Sequence, residues 1–198
     1  PEVTMKINGG QPKTNKRDVT LTFINNGDSS KMQIQNSETF SATETWKPFV
    51  ASMPWRLTEN DGKKFVYGRF QDEAGNIFGP ISAQIELDTV GPSNPSLVIN
   101  DGASMTNSVN VRLKLSAKDA VRMVISNSED FTGTVDETFK TIKNWTLGGY
   151  GIQDVYAKFL DDASNSSDIV VSTITVVGTP PSSATVTINS GDATTDTI

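Results

Sequence analysis

The chain has 198 residues, a formal net charge of -6, and neither cysteine nor histidine. Those two absences exclude thiolate zinc sites, cysteine nucleophiles, Ser-His-Asp catalysis and the usual physiological-pH switch. Acidic and basic residues are mixed along the chain and leave no basic stripe for phosphates, so nucleic acid is not an expected partner. No apolar run reaches the roughly 18 residues a membrane helix needs, and membrane insertion is not expected either.

Taken in order, Val3, Met5 and Ile7 alternate with Thr4 and Lys6 before the turn Asn8-Gly9-Gly10, and Val19, Leu21 and Phe23 alternate again. Period two marks strands with one buried face, and Asn-Gly accepts the positive φ that short turns need. The turn Asn25 to Asp28 leads into a strand through Met32 and Ile34. A polar excursion follows through Phe40, Trp46 and Phe49 to Trp55. Lys63 to Phe70 then reads as a central strand, because Val66 and Phe70 load one face while Phe65 and Tyr67 load the other. The turn Asp72 to Asn76 and a strand with Ile81, Ala83, Ile85 and Leu87 on one side complete the set. Apolar residues nowhere hold a 3.6-residue spacing for three turns, so the class predicted is all-β.

The set then repeats. Pro54 to Asn76 is answered by Asn144 to Asn165: Trp55 by Trp145, Val66 by Val155, Phe70 by Phe159, Asp72 by Asp161 and Asn76 by Asn165. Earlier positions match too, Asn8 with Asn100, Met32 with Met123, and Asn36 to Phe40 with Asn127 to Phe131. Segments about 90 residues apart that match along their length signify tandem modules, each large enough for a two-layer core. The spacing predicts a first repeat over 1–91 and a second over 92–178. Residues 179–198, with Val186-Thr187-Ile188-Asn189-Ser190-Gly191, read as a linker or the first strand of an incomplete third. The missing initiator Met and the halt at Ile198 suggest a piece of something longer. The joints Asp88 to Pro92 and Gly178 to Pro181 are short and proline-bearing, which predicts a jointed rod rather than loose beads.

A first strand ending in N-G-G or N-D-G, a later V-Y-x-x-F-x-D-x-A-G-N and a closing L-D-T-x-x-P resemble the tandem bacterial immunoglobulin-like repeats of large cell-surface, secreted and phage structural proteins. Here those residues are Asn8 to Gly10, Val66, Tyr67, Phe70, Asp72, Ala74 to Asn76, Leu87 to Thr89 and Pro92, with Asn100 to Gly102, Val155, Tyr156, Phe159, Asp161, Ala163 and Asn165 in the second copy. The second copy departs in Ser164 for Gly, and in Val176-Val177-Gly178 for the closing motif. The resemblance implies tandem immunoglobulin-like β-sandwiches and says little about function, because the fold carries many unrelated roles.

Three functional readings remain. The first is a non-catalytic spacer that stiffens or presents an appendage outside a bacterium or on a phage virion, with neighbouring repeats or subunits of the same assembly as partners. In it Trp55, Val66, Phe70, Trp145, Val155 and Phe159 are core residues. The second is an adhesion module for a surface glycan, attached to a larger secreted protein. Trp46, which has no counterpart in the second copy, is its candidate contact, and Trp55, Tyr67, Trp145 and Tyr150 are the other aromatics available. The third is a self-assembling filament or virion subunit that pairs through edge strands. No catalytic residue is expected, since the adjacent acidic pairs Glu59/Asp61 and Asp161/Asp162 lie on turns where neighbours point apart. No cofactor is expected unless Asp72, Asn76 and Asp88 ligate calcium at the joint, with Asp161, Asp162, Asn165 and Asp168 as a second such group. The competing explanation is turn chemistry alone, in which Asp caps backbone amides.

Overall fold

The computed structural model describes residues 3–41 and 43–178. Eight strands follow one another in its first part: β1 (Val3–Ile7), β2 (Lys13–Thr14), β3 (Asp18–Asn25), β4 (Ser29–Gln35), β5 (Lys47–Pro48), β6 (Ser52–Arg56), β7 (Gly62–Asp72) and β8 (Ile77–Leu87). Eight more repeat the pattern: β9 (Ser93–Ile99), β10 (Met105–Thr106), β11 (Asn110–Lys118), β12 (Arg122–Ser126), β13 (Glu137–Thr138), β14 (Ile142–Thr146), β15 (Gly151–Leu160) and β16 (Val170–Val176). The only helical pieces among the described residues are two three-residue 3-10 turns, Asn8–Gly10 and Asn100–Gly102.

Each set closes into two sheets. The first has the orders β1-β3-β6 and β2-β8-β7-β4-β5; the second has β9-β11-β14 and β10-β16-β15-β12-β13. All pairings between strands are antiparallel except β2 with β8 and β10 with β16. This is the two-layer, Greek-key arrangement of immunoglobulin-like sandwiches. The chain crosses from one sheet to the other at the Asn-Gly turn, where Asn8 and Asn100 have positive φ. Their side-chain oxygens accept from the Thr20 and Arg112 amides at 2.9 Å, so the same Asx contact anchors the crossover in both copies.

Alternation explains the cores. β1 is buried at Val3, Met5 and Ile7 and exposed between them, and β3 follows suit at Val19, Leu21 and Phe23. Inner residues of the two sheets meet around Phe70, whose ring lies 6.0 Å from Phe23 and 6.3 Å from Phe49. Phe159 meets Phe139 at 5.7 Å in the second sandwich. The Phe23–Phe70 and Phe139–Phe159 pairs are edge-to-face, a geometry that adds about 1 kcal/mol beyond the area it buries.

β7 is central as expected, flanked by β4 and β8, and on its outer face Phe65 is 41% exposed with its ring tilted beside that of Tyr67 at 6.3 Å. One local expectation needs correction: Trp55 and Trp145 are not residues of the deep core. Both are half-buried, pack against its margin, and donate their indole N–H groups to Asn36 and Asn127 Oδ1 at 2.8 and 2.7 Å. The fully enclosed positions beside them belong to Leu57 and Leu147, whose amides bond across to the Arg17 and Val109 carbonyls at 2.9 Å. Val66, Phe70, Val155 and Phe159 are each at most 1% exposed. Residues 179–198, and with them the expected third copy, lie outside the described residues.

Candidate functional site

The most developed constellation of polar contacts between distant parts of the chain lies where the two sandwiches meet. The β15–β16 turn, Asp161 to Asn165, is drawn tight by its own first residue. Asp161 Oδ1 accepts the Asn165 amide at 2.8 Å and Oδ2 accepts Asn165 Nδ2 at 2.9 Å. Ser164 sits in the left-handed region, φ 69°, where the first repeat has Gly75 at φ 91°. With its side chain fixed in this way, Asn165 turns the second hydrogen of Nδ2 outward, and that hydrogen goes to the Asp88 carbonyl at 2.8 Å. One side chain thus closes its own turn and holds the last strand of the preceding sandwich.

Three further contacts surround it. Asn15 Nδ2 donates to the Ser164 carbonyl at 3.3 Å, and Lys13 Nζ reaches Asp162 at 3.0 Å and Glu86 at 3.7 Å. The Lys13 ammonium is held above its ordinary pKa, chiefly by the hydrogen bond to Asp162, with burial opposing and the charges of Asp162, Glu86 and Asp88 assisting. The third is a close approach of backbone: a Cβ on Gly91 would stand 2.4 Å from the Ser166 carbonyl oxygen. Only glycine fits there. The linker is fastened from the other side, because the Asp61 carboxylate accepts both the amide and the hydroxyl of Thr89, at 3.0 and 2.9 Å, while Asp88 Oδ1 accepts the Val90 amide at 3.2 Å. Beside these contacts is an open cleft of about 660 Å³ lined by Lys13, Asp88, Lys118, Asp119 and Asp162 among others.

The calcium grouping is not brought together. Asp72 and Asn76 lie at one end of β7, and Asp88 lies beyond the other end, since Gly62 is the residue that pairs with Leu87. Ten residues of strand separate them, roughly 30 Å at 3.3 Å per residue. Asp72 instead accepts the Asn76 amide and Nδ2, both at 2.8 Å, as Asp161 does in the second copy. Its carboxyl is held below the ordinary range, first by the Asn76 side chain, with desolvation opposing and turn amides assisting. Among the described residues, no three Asp, Glu, His or Cys side chains are grouped so as to hold a metal ion.

Trp46 is half-buried, and its indole lies 5.4 Å from the Arg69 guanidinium, which is also 4.7 Å from the Phe40 ring. In the second repeat Lys158 lies over Phe131 at 4.6 Å, so a cation over an aromatic ring belongs to this position in both copies. Trp55 sits on the opposite sheet from Tyr67, and Tyr150 is exposed by itself at the start of β15. The aromatics therefore do not converge on one platform. Glu59 pairs with Arg17 at 3.2 Å and Asp61 holds Thr89, which leaves no opposed carboxylate pair at that turn. Lys13 and Asn15 are the joint residues that pattern reading passed over; Gly91 lies within the predicted joint Asp88 to Pro92, but its close approach to Ser166 was not foreseen. The signal for Asn15 was Thr14-Asn15 recurring as Thr106-Asn107, whereas Lys13, which is replaced by Met105 in the second copy, had none.

No protein-family model matches this chain, and no curated protein sequence does. Solved structures do. The fibronectin(III)-like modules of CbhA from Clostridium thermocellum superpose with a TM-score of 0.52 at 14% identity, over 88% of this chain and 94% of that one. The FN1–FN3 domains of chicken CNTN1 give 0.48 at 9% identity, over 88% of this chain and 64% of theirs. With the sheet orders above, the first likeness defines the class: the chain is a tandem of immunoglobulin-like, fibronectin III-like β-sandwich modules.

Proposed function

We propose that this chain is a non-catalytic spacer segment of a larger extracellular protein of a bacterial surface or a phage virion, in which successive sandwiches set reach and stiffness. Its repeats comprise residues 1–91 and 92–178. The observation that carries the reading is the joint. A flexible tether between binding modules needs no specific contacts, whereas here Asn165, Asn15, Lys13 and Gly91 fix one sandwich against the next within a linker of a few residues. The contacts are few and polar, so they set direction more than they add stability. The ion pair of Lys13 with Asp162 is exposed and screened by solvent, so it orients more than it stabilises.

A structural role asks of each module that it stay folded, which residues that recur serve in both copies: the Asn-Trp pair, the Asp-Asn turn and the phenylalanine core. Sedimentation velocity of the purified chain over a wide concentration range tests the proposal. A monomer of high frictional ratio, unchanged by calcium or chelator, is the expected result. A compact monomer contradicts the spacer, and reversible assembly makes the chain a subunit of a filament or virion instead. Binding to surface polysaccharide that is lost in Trp46→Ala would replace the spacer by the glycan-adhesion reading.

A further inference from the structure

The surface that receives the first sandwich on the second has a counterpart on the first, and among the described residues nothing covers it. Asp72, Glu73, Ala74 and Asn76 stand where Asp161, Asp162, Ala163 and Asn165 stand, and Asp28 to Ser30 stand where Asp119 to Val121 do. These residues line an open depression of about 550 Å³ beside the β7–β8 turn, with Asp28, Ser29, Ser30, Asp72, Glu73 and Ala74 as its wall. The turn is already in its receiving form. Asp72 fixes the Asn76 amide at 2.8 Å just as Asp161 fixes Asn165, and the second Nδ2 hydrogen of Asn76 meets no acceptor among the described residues.

An independent observation points to an occupant. Ser29 is only 7% exposed and lines the depression, and among the described residues its hydroxyl is one of two buried side-chain polar atoms without a hydrogen-bond partner. Leaving such a group unsatisfied costs on the order of a hydrogen bond. In the second repeat, where the surface is occupied, the same position is Ala120 and asks for nothing.

We infer that the Asp72–Asn76 turn, with Asp28 to Ser30, is the seat for the strand end of another repeat of this kind, joined ahead of Val3 in the same polypeptide. The chemistry of the occupant follows from the occupied joint: a backbone carbonyl to accept from Asn76, as Asp88 accepts from Asn165, and a lysine to meet Glu73, as Lys13 meets Asp162. A covalent joint is required because one side-chain amide hydrogen bond and one exposed ion pair are too weak to hold separate molecules, while a short linker supplies an effective concentration in the millimolar range. The end of the second sandwich supports this choice over a second copy of the chain. It keeps the strand-end hydrogen bond, donated by the Val177 amide to the Thr106 carbonyl at 2.8 Å, but carries Met105 where the first has Lys13, so it cannot pair with Glu73.

The inference rests on the spacer reading, and its test separates the two. The full chain is extended by a copy of its own residues 3–94 joined directly to Val3, which reproduces the existing linker, and amide spectra of the extended and original chains are compared. The expected result is that signals of Asp28 to Ser30 and Asp72 to Asn76, including the Asn76 side-chain amide, shift and exchange more slowly in the extended chain. Glu73→Lys, which touches no bond within the turn, should return them toward the original positions, with Val66 and Phe70 signals unmoved. Spectra of the turn that are identical with and without the copy overturn the inference, as does a shift that Glu73→Lys leaves intact. So do concentration-dependent shifts in the unextended chain, which would make the occupant a second copy. If the turn fails to respond while the Asn165 side-chain amide stays protected, the spacer reading survives alone; if the Asn165 amide exchanges freely, that reading falls as well.

Discussion

The side-chain amide of Asn165 lies 2.8 Å from the backbone carbonyl of Asp88, so a turn of the second sandwich holds the last strand of the first. The same amide is bound to Asp161 at 2.9 Å, and the residue is thereby ordered before it reaches across. Pre-ordering matters because the rotamer entropy lost in fixing a free side chain is comparable with the ~1 kcal/mol net that one hydrogen bond returns.

Removing that side chain should loosen the joint more than it destabilises the sandwich. In Asn165→Ala the turn loses one internal bond and the second repeat should lose about 1 kcal/mol by chemical denaturation. Heteronuclear relaxation should show the two repeats tumbling with separate correlation times, whereas in the parent they share one.

Gly91→Ala tests the close approach without touching a hydrogen bond. Its Cβ would stand 2.4 Å from the Ser166 carbonyl, and neither atom belongs to a flexible side chain, so the linker must shift. The expected outcome is an altered interdomain angle in small-angle scattering, with the melting behaviour of each sandwich unchanged.

The cores should respond repeat by repeat. Phe70 and Phe159 are buried among aromatic neighbours, and truncation to Ala in such settings costs about 3–5 kcal/mol. Phe70→Ala should destabilise the first repeat and leave amide exchange in β15 as it was; Phe159→Ala should do the reverse.

The asparagine-tryptophan pairs are smaller effects of the same kind in both copies. Asn36→Ala leaves the Trp55 indole N–H and the Arg56 carbonyl without their partner, and Asn127→Ala does so for Trp145 and Thr146. Each should cost about 1–2 kcal/mol, less where water replaces the amide. Tryptophan fluorescence should shift with the substitution in its own repeat.

For Asp72 the folded carboxyl titrates below its ordinary value of 3.8, because the Asn76 amide and turn N–H groups bind the charged form. A depressed pKa contributes stability that is complete above the unfolded value and is lost as pH falls through the folded one. The turn should therefore keep its geometry through neutral and mildly acid pH and come apart only below that range. Carbon-detected titration of the Asp72 carboxyl checks this, and Asn76→Ala should move its midpoint upward.

Fold class was legible because alternation is a local signal. Val19, Leu21 and Phe23 announce a half-buried strand by themselves, and the match of Val66 and Phe70 to Val155 and Phe159 announces a second copy. The tryptophans misled because repetition at Trp55 and Trp145 is equally compatible with a half-buried ring anchored by asparagine. Lys64 shows the converse. It reads as polar surface, yet it is 9% exposed, with its stem inside and Nζ bonded to the Glu59 carbonyl at 2.7 Å. The place of the joint was legible but its contacts were not, since Asp72, Asn76 and Asp88 stand close in the text while a strand's length separates them in space. The residue that meets Asp88 comes 77 positions later, and no periodicity announces a contact made by the poles of two different units.

Residual dipolar couplings measured on both repeats in one weakly aligned sample test the central claim, that the joint makes two sandwiches into one stiff spacer. The account predicts a single alignment tensor, with matching magnitude and axes for β1–β8 and β9–β16, that splits into two in Asn165→Ala. Two different tensors in the parent chain would mean that the repeats move independently and would contradict it.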